Sequence, residues 1–108
     1  MESRTLNPTT ATFEAEVGGQ QGVVLVDFWA PWCGPCQAFK PVVETIANEN
    51  SELKVALVNV DEEPELAVAH GVQSIPALRL FRDGEQVAEH TGALSKPALE
   101  AWLRSHGV

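Results

Sequence analysis

The apolar residues of this chain recur at two different periods, and the alternation between the two marks out its elements. From Val23 to Trp29, only Asp27 interrupts a run that is apolar at both alternating sets of positions, the pattern of a strand buried on two faces. The period then changes. Phe39, Val42, Val43 and Ile46 follow i, i+3, i+4, i+7, which predicts a helix over 34–49 with a kink at Pro41. A second apolar run, Leu53 to Val60, predicts another buried strand. Asp61, Glu62, Glu63, Pro64 and Glu65 place acids and a proline where a helix begins, and Gly71 closes that helix. Two further strands, 77–82 and 86–91, are joined by Asp83-Gly84, a hairpin signal. Ser95 can cap a last helix with Leu99, Trp102 and Leu103 on its packed face. Nearer the start, Thr9 or Thr10 can cap a short helix that carries Phe13 and Val17 one turn apart on its inner side and ends in Gly18 to Gly22.

The resulting order is (β)αβαβαββα. Strands alternating with helices imply parallel pairing through crossovers, and the terminal hairpin adds antiparallel pairs. The fold class is therefore α/β, a mixed sheet with helices on both faces. No repeat, linker or low-complexity tract divides the chain, and 108 residues suit one domain with one core, so 1–108 reads as a single unit.

Composition narrows the function classes. With 15 acidic against 7 basic residues the net charge is −8, and the cations are scattered singly, so no phosphate-tracking stripe exists and nucleic acid is not expected as a partner. No apolar run approaches the roughly 18 residues of a membrane helix. The polar start from Met1 shows no basic region followed by an apolar core, so the expectation is a cytoplasmic protein without a signal peptide.

The chemistry concentrates at Trp32-Cys33-Gly34-Pro35-Cys36, which holds both cysteines of the chain. The motif falls between a strand and a helix. There the unpaired N–H groups and the positive end of the helix dipole favour a thiolate on Cys33, the nucleophile of disulfide exchange. Cys36, one turn on, is expected to be the more buried and to attack a mixed disulfide. Two plainer readings compete. A structural disulfide over so short a loop stabilises little. Half of a zinc site lacks a second Cys pair, and His70, His90 and His106 lack finger spacing. Spacing, context and cysteine count favour a redox dithiol. Asp27 sits in the apolar strand with Leu25 and Trp29 on its side, so desolvation should raise its pKa. Its plainer reading is an Asp that reaches solvent at the strand end. Trp29 and Trp102 read as core, Trp32 as surface, the three histidines as surface residues, and the 61–65 acids as helix-dipole charge.

Beyond Trp32 to Cys36, the stretches Val26-Asp27-Phe28-Trp29-Ala30, Asn59-Val60-Asp61, Ile75-Pro76, Asp83-Gly84 and Gly92-Ala93-Leu94-Ser95-Lys96 resemble the thioredoxin family in order and over nearly the whole length. The resemblance implies a five-stranded mixed sheet flanked by about four helices. It implies reduction of protein disulfides through a Cys33–Cys36 dithiol–disulfide couple, without a bound cofactor or metal, by a monomer. The electrons would come from NADPH through a flavoprotein, thioredoxin reductase. Carried over by residue, Cys33 attacks, Cys36 resolves, and Asp27 moves protons for Cys36. Trp32, Gly34, Pro35, Ile75, Pro76, Gly92 and Ala93 would meet the substrate, with Pro76 in cis. By itself an X-Pro bond is cis in only about 5–6% of cases, so only the resemblance points that way. Two positions depart from the pattern: Gln37 stands where many relatives have Lys or Arg after the second Cys, and Leu57 where many bacterial relatives have Lys near the buried Asp. Gly34-Pro35 resembles the reducing members, as against a thiol oxidase or isomerase; a docking subunit that does not use its thiols is the third class.

Overall fold

The computed structural model describes residues 5–108; the polar start Met1 to Arg4 lies outside the described residues. Its strands are β1 (Thr5–Leu6), β2 (Val23–Trp29), β3 (Leu53–Asn59), β4 (Ala77–Arg82) and β5 (Glu85–Thr91). They form one sheet in the order β1-β3-β2-β4-β5. β3 runs parallel to both β1 and β2, while β4 runs antiparallel to β2 and β5. A short π-helical segment (Glu14–Gly18) precedes β2, and α1 (Gly34–Glu49), α2 (Pro64–Ala69) and α3 (Lys96–Ser105) follow in turn.

The doubly apolar run of β2 is explained by its neighbours. It is central, and each alternating set of side chains meets its own core. Leu25 joins Leu57, Leu78 and Leu80 beneath Phe39, Val43 and Ile46 of α1 and Leu99 and Leu103 of α3. Val24, Val26 and Phe28 join Val58, Ala77 and Phe81 beneath Phe13, Val17 and the Leu66–Ala67 pair of α2. Each fully buried side chain of this size stabilises by about 1.5–3 kcal/mol, so the two layers hold β2 firmly.

The helices start and stop largely as their sequences direct. Ser95 accepts the Ala98 N–H at 3.3 Å and caps α3. Thr9, not Thr10, caps the first turn, accepting the Thr12 N–H at 3.2 Å. That turn then widens into a π-helical stretch instead of continuing as an α-helix, with Phe13 and Val17 buried as expected. α1 continues through Pro41. α2 begins at Pro64, so of the expected dipole acids only Glu65 lies in its first turn. Glu63 instead accepts the Thr10 N–H at 2.7 Å, and Asp61 is engaged elsewhere. β3 ends at Asn59, one residue short of the expected end, although the Val60 N–H still donates to the Trp29 carbonyl at 2.9 Å as the last rung of the parallel ladder with β2.

Asp83 and Gly84 turn the β4–β5 hairpin with φ of 53° and 83°, the doubly left-handed geometry such a turn needs. A Cβ on Gly84 would also collide with the Gly18 carbonyl oxygen. Gly84→Ala is therefore expected to cost roughly 2–4 kcal/mol in a urea unfolding experiment, combining backbone strain with displacement of the Gly18 loop. An unchanged midpoint would contradict this account of the turn.

Candidate functional site

The central strand β2 and the first long helix, α1, meet at the dithiol. Trp29 ends β2, the Cys33 N–H bonds to the Ala30 carbonyl at 3.1 Å, and Cys33 becomes the N-cap of α1 with extended backbone. Its sulfur accepts the Cys36 N–H at 3.2 Å. An N-cap normally uses a side-chain oxygen for this purpose. Here a sulfur takes the place, so an otherwise unpaired helix donor points at the reactive atom and stabilises negative charge on it. Pro35 follows within the first turn, where its missing N–H costs nothing.

Cys33 and Cys36 are joined in a disulfide with Cα atoms 5.2 Å apart. Cys36 is the more buried, but by little: Cys33 is 5% exposed and Cys36 2%. In this disulfide form both sulfurs are covered. Both sulfurs pack with Ala30 beneath Trp29, Val60 and Ile75. The Cys33 sulfur lies 3.9 Å from the Ile75 carbonyl oxygen.

Around this pair the structure gathers the other named residues. Trp32 is 69% exposed, a surface residue as expected, and its indole N–H donates to Asp61 at 2.9 Å. Gly34, Pro35 and Ala93 are exposed, Ile75 and Gly92 half-buried, and Pro76 buried. The Ile75–Pro76 bond is cis. The Gly92 N–H donates to the Pro76 carbonyl at 2.8 Å, which ties the 92–93 corner to the segment facing Cys33. An apolar groove of about 330 Å³ runs from Trp32 and Ile75 along Val60, Ala67 and Val72.

Asp27 is 1% exposed, which rules out the solvent-reaching alternative. It pairs in register with Leu57 on β3 and Leu78 on β4, and one carboxylate oxygen has no hydrogen-bond partner. Burial pushes its pKa from about 3.8 up to about 7, opposed by the positive charge of Lys40. Lys40 was not singled out from the sequence. It lies one turn beyond Cys36 on α1, with its ammonium 5.1 Å from the centre of the Trp29 ring. It provides a cation from the helix where Leu57 provides none from the sheet. Its spacing of four from Cys36 was the available signal. Asp61, as the Trp32 partner, was likewise missed.

Other expectations need adjustment. Trp29 and Trp102 are half-buried and pack against the core edge. The histidines are half-buried ring partners instead of surface residues. His70 lies 4.8 Å from Phe13, and Trp102 contacts both His90 and His106.

A strand-end dithiol capping a helix, beside an apolar groove and a buried acid, defines a thiol–disulfide oxidoreductase. The thioredoxin family model matches residues 4–105. The chain is 46% identical over 99 residues to a thioredoxin of Porphyra purpurea, covering 91% of this chain and 92% of that one. It is 48% identical, over the same shares, to thioredoxin 1 of Synechococcus elongatus. The solved structure of an N21Q mutant thioredoxin from Halobacterium salinarum is similar, with a TM-score of 0.87 at 42% identity, covering 100% of this chain and 96% of that one. The chain belongs to the thioredoxin family, whose members reduce protein disulfides through a redox-active dithiol and bind no cofactor.

The charge state of Asp27 couples to stability with a definite sign. Folded Asp27 keeps its proton at pH values where the unfolded side chain has lost it. Stability from this group therefore falls as pH rises from about 3.8 to about 7. Asp27→Asn should be more stable than the wild type at neutral pH, by an amount of order 3 kcal/mol, with the difference vanishing below about pH 4. Urea titrations across that range check it; a less stable Asn variant at pH 7 would contradict the assignment. Lys40→Met should move the Asp27 titration upward in an NMR experiment, and Leu57→Lys should move it downward. An unmoved titration in Lys40→Met would show that Lys40 does not act on this carboxyl.

Proposed function

We propose that Cys33 is the attacking thiol, Cys36 the resolving thiol and Asp27 the proton acceptor and donor for Cys36. The observation that carries this reading is the Cys36 N–H aimed at the Cys33 sulfur at the start of α1. In the reduced protein a Cys33 thiolate attacks one sulfur of a substrate disulfide, and the other sulfur leaves as a thiolate. Asp27 takes the Cys36 proton, and the Cys36 thiolate attacks the Cys33 sulfur. The second substrate thiolate leaves, so the substrate gains two electrons and the protein ends as the Cys33–Cys36 disulfide. An acid that titrates near neutral pH is suited to this proton transfer, and the burial that sets Asp27 there supports its role.

In this reading Trp32, Gly34, Pro35, Ile75, Pro76, Gly92 and Ala93 form the surface that receives an extended substrate segment. Thioredoxin reductase, a flavoprotein that draws on NADPH, restores the dithiol, as it generally does for this family. The chain acts as one domain over 1–108 and as a monomer, in the cytoplasm, where a Cys pair is kept available for exchange. No helix among the described residues is long and apolar enough to cross a membrane.

Cys36→Ser should accumulate mixed disulfides with protein substrates, detected on non-reducing gels, because resolution is lost. Cys33→Ser should accumulate none. Trapping by Cys33→Ser in place of Cys36→Ser would reverse the two roles.

A further inference from the structure

A buried arginine stands directly behind the substrate-facing segment. Arg79 lies on β4 between Ala77 and Phe81, inside the α2-facing layer, and is 3% exposed. An arginine is almost never buried without partners. Its partners are specific. Nε donates to the His70 carbonyl at 3.1 Å, and Nη2 donates to the Gly71 carbonyl at 3.3 Å. Nη1 donates to the Leu78 carbonyl at 2.9 Å. Exposed Glu89, its register partner on β5, approaches Nε at 3.5 Å.

The carbonyls Arg79 takes are those that the end of α2 leaves over. Gly71, with φ of 66°, closes the helix in a Schellman pattern: the Val72 N–H bonds to the Ala67 carbonyl at 2.9 Å, and the Gly71 N–H to the Val68 carbonyl at 3.1 Å. That pattern uses the carbonyls of Ala67 and Val68. The next ones out, on His70 and Gly71, lie beyond its reach and are held by the guanidinium, a cation at the negative end of the helix. The chain then runs through Val72, Gln73 and Ser74 to Ile75 and Pro76. Gln73 and Ser74 make no hydrogen bond among the described residues, and a cavity of about 440 Å³ opens beside them. The segment is thus anchored at its far end by the Gly92–Pro76 bond and at its near end by Arg79.

We infer that Arg79 is a positioning residue for protein-substrate recognition: by holding the His70 and Gly71 carbonyls it sets where the 72–76 segment presents Ile75 to a substrate chain beside Cys33. The inference rests on the reading of Ile75 and Pro76 as substrate-contacting. Arg79 touches no reacting atom, so it should matter for a macromolecular disulfide and not for a small one that needs only the sulfur.

The test compares insulin reduction driven by dithiothreitol with the reaction of the reduced protein with 5,5′-dithiobis(2-nitrobenzoic acid). Arg79→Met should raise KM for insulin by about tenfold with kcat largely kept, the order expected when a positioning contact loosens. Its rate with the small disulfide should match the wild type. Arg79→Lys, which keeps the charge but cannot fork to two carbonyls, should shift KM in the same direction by less and covers the case in which Arg79→Met does not fold. Glu89→Gln, which spares the carbonyl contacts, should behave as the wild type. Unchanged insulin KM in both Arg79 variants would overturn the inference, as would equal losses on both substrates, which indicate a structural role alone. Ile75→Ala separates the layers of the reading. If it raises insulin KM while the Arg79 variants do not, only the Arg79 inference fails. If Ile75→Ala itself leaves insulin KM unchanged, the substrate-segment reading fails first.

Discussion

The placement of β2 between β3 and β4, with apolar layers on both faces, is the constraint on which the rest depends. It fixes the direction in which the chain leaves the sheet at Trp29 and so where α1 can begin. A reactive sulfur at the N-cap of a helix needs a helix start that does not fray, and α1 is anchored by Phe39, Val43 and Ile46 against that same central strand. The dithiol is therefore held by the core, and the unpaired N–H of Cys36 costs the fold nothing because the sulfur accepts it.

The same burial that secures β2 disfavours charge at Asp27. Desolvation is the largest influence on this carboxyl, and the attraction of Lys40 is the smaller, opposing one. The balance leaves an acid that changes charge near neutral pH, at the cost of stability there, which is the usual conflict between a tuned site and a well-packed core. Leu57, on the strand beside this acid, supplies no charge, and the cation reaches it from the helix. Leu57 remains an apolar member of the α1-facing core, and the charge sits at a half-buried helix position where its ammonium also lies over Trp29.

The apolar groove around the dithiol is assembled from four separate stretches: the Trp32 loop, the Val60 corner, the end of α2 and the cis Ile75–Pro76 segment. Each is tied by a polar contact away from the groove. Trp32 is held by Asp61, Val60 by the Trp29 carbonyl, the exit of α2 by Arg79, and the Ile75–Pro76 segment by the Gly92 N–H. Polar anchoring at the rim leaves the groove itself apolar.

Much of this was legible along the chain. The doubly apolar strand at 23–29, the helix over 34–49, the Asp83-Gly84 hairpin and the Ser95 cap follow from local periodicity and turn chemistry, which need only near neighbours. The dithiol at a helix start followed from the same order of elements, as did the burial of Asp27. Contacts distant in sequence were not legible. Lys40 looked like an ordinary helix cation until the sheet brought Asp27 beneath it, and Asp61 like a dipole charge until Trp32 folded over to meet it. Arg79 read as one residue of an alternating strand until the end of α2 crossed above it. The covering of Cys33 by Val60 and Ile75 likewise comes from loops that meet only in the folded chain. The sequence by itself determined which elements form and which residues could carry chemistry, because those depend on short-range sterics and apolar spacing. Only the tertiary structure decided which charges face one another, because in a low-dielectric interior a few ångströms of long-range packing decide whether a group is paired, shifted or exposed.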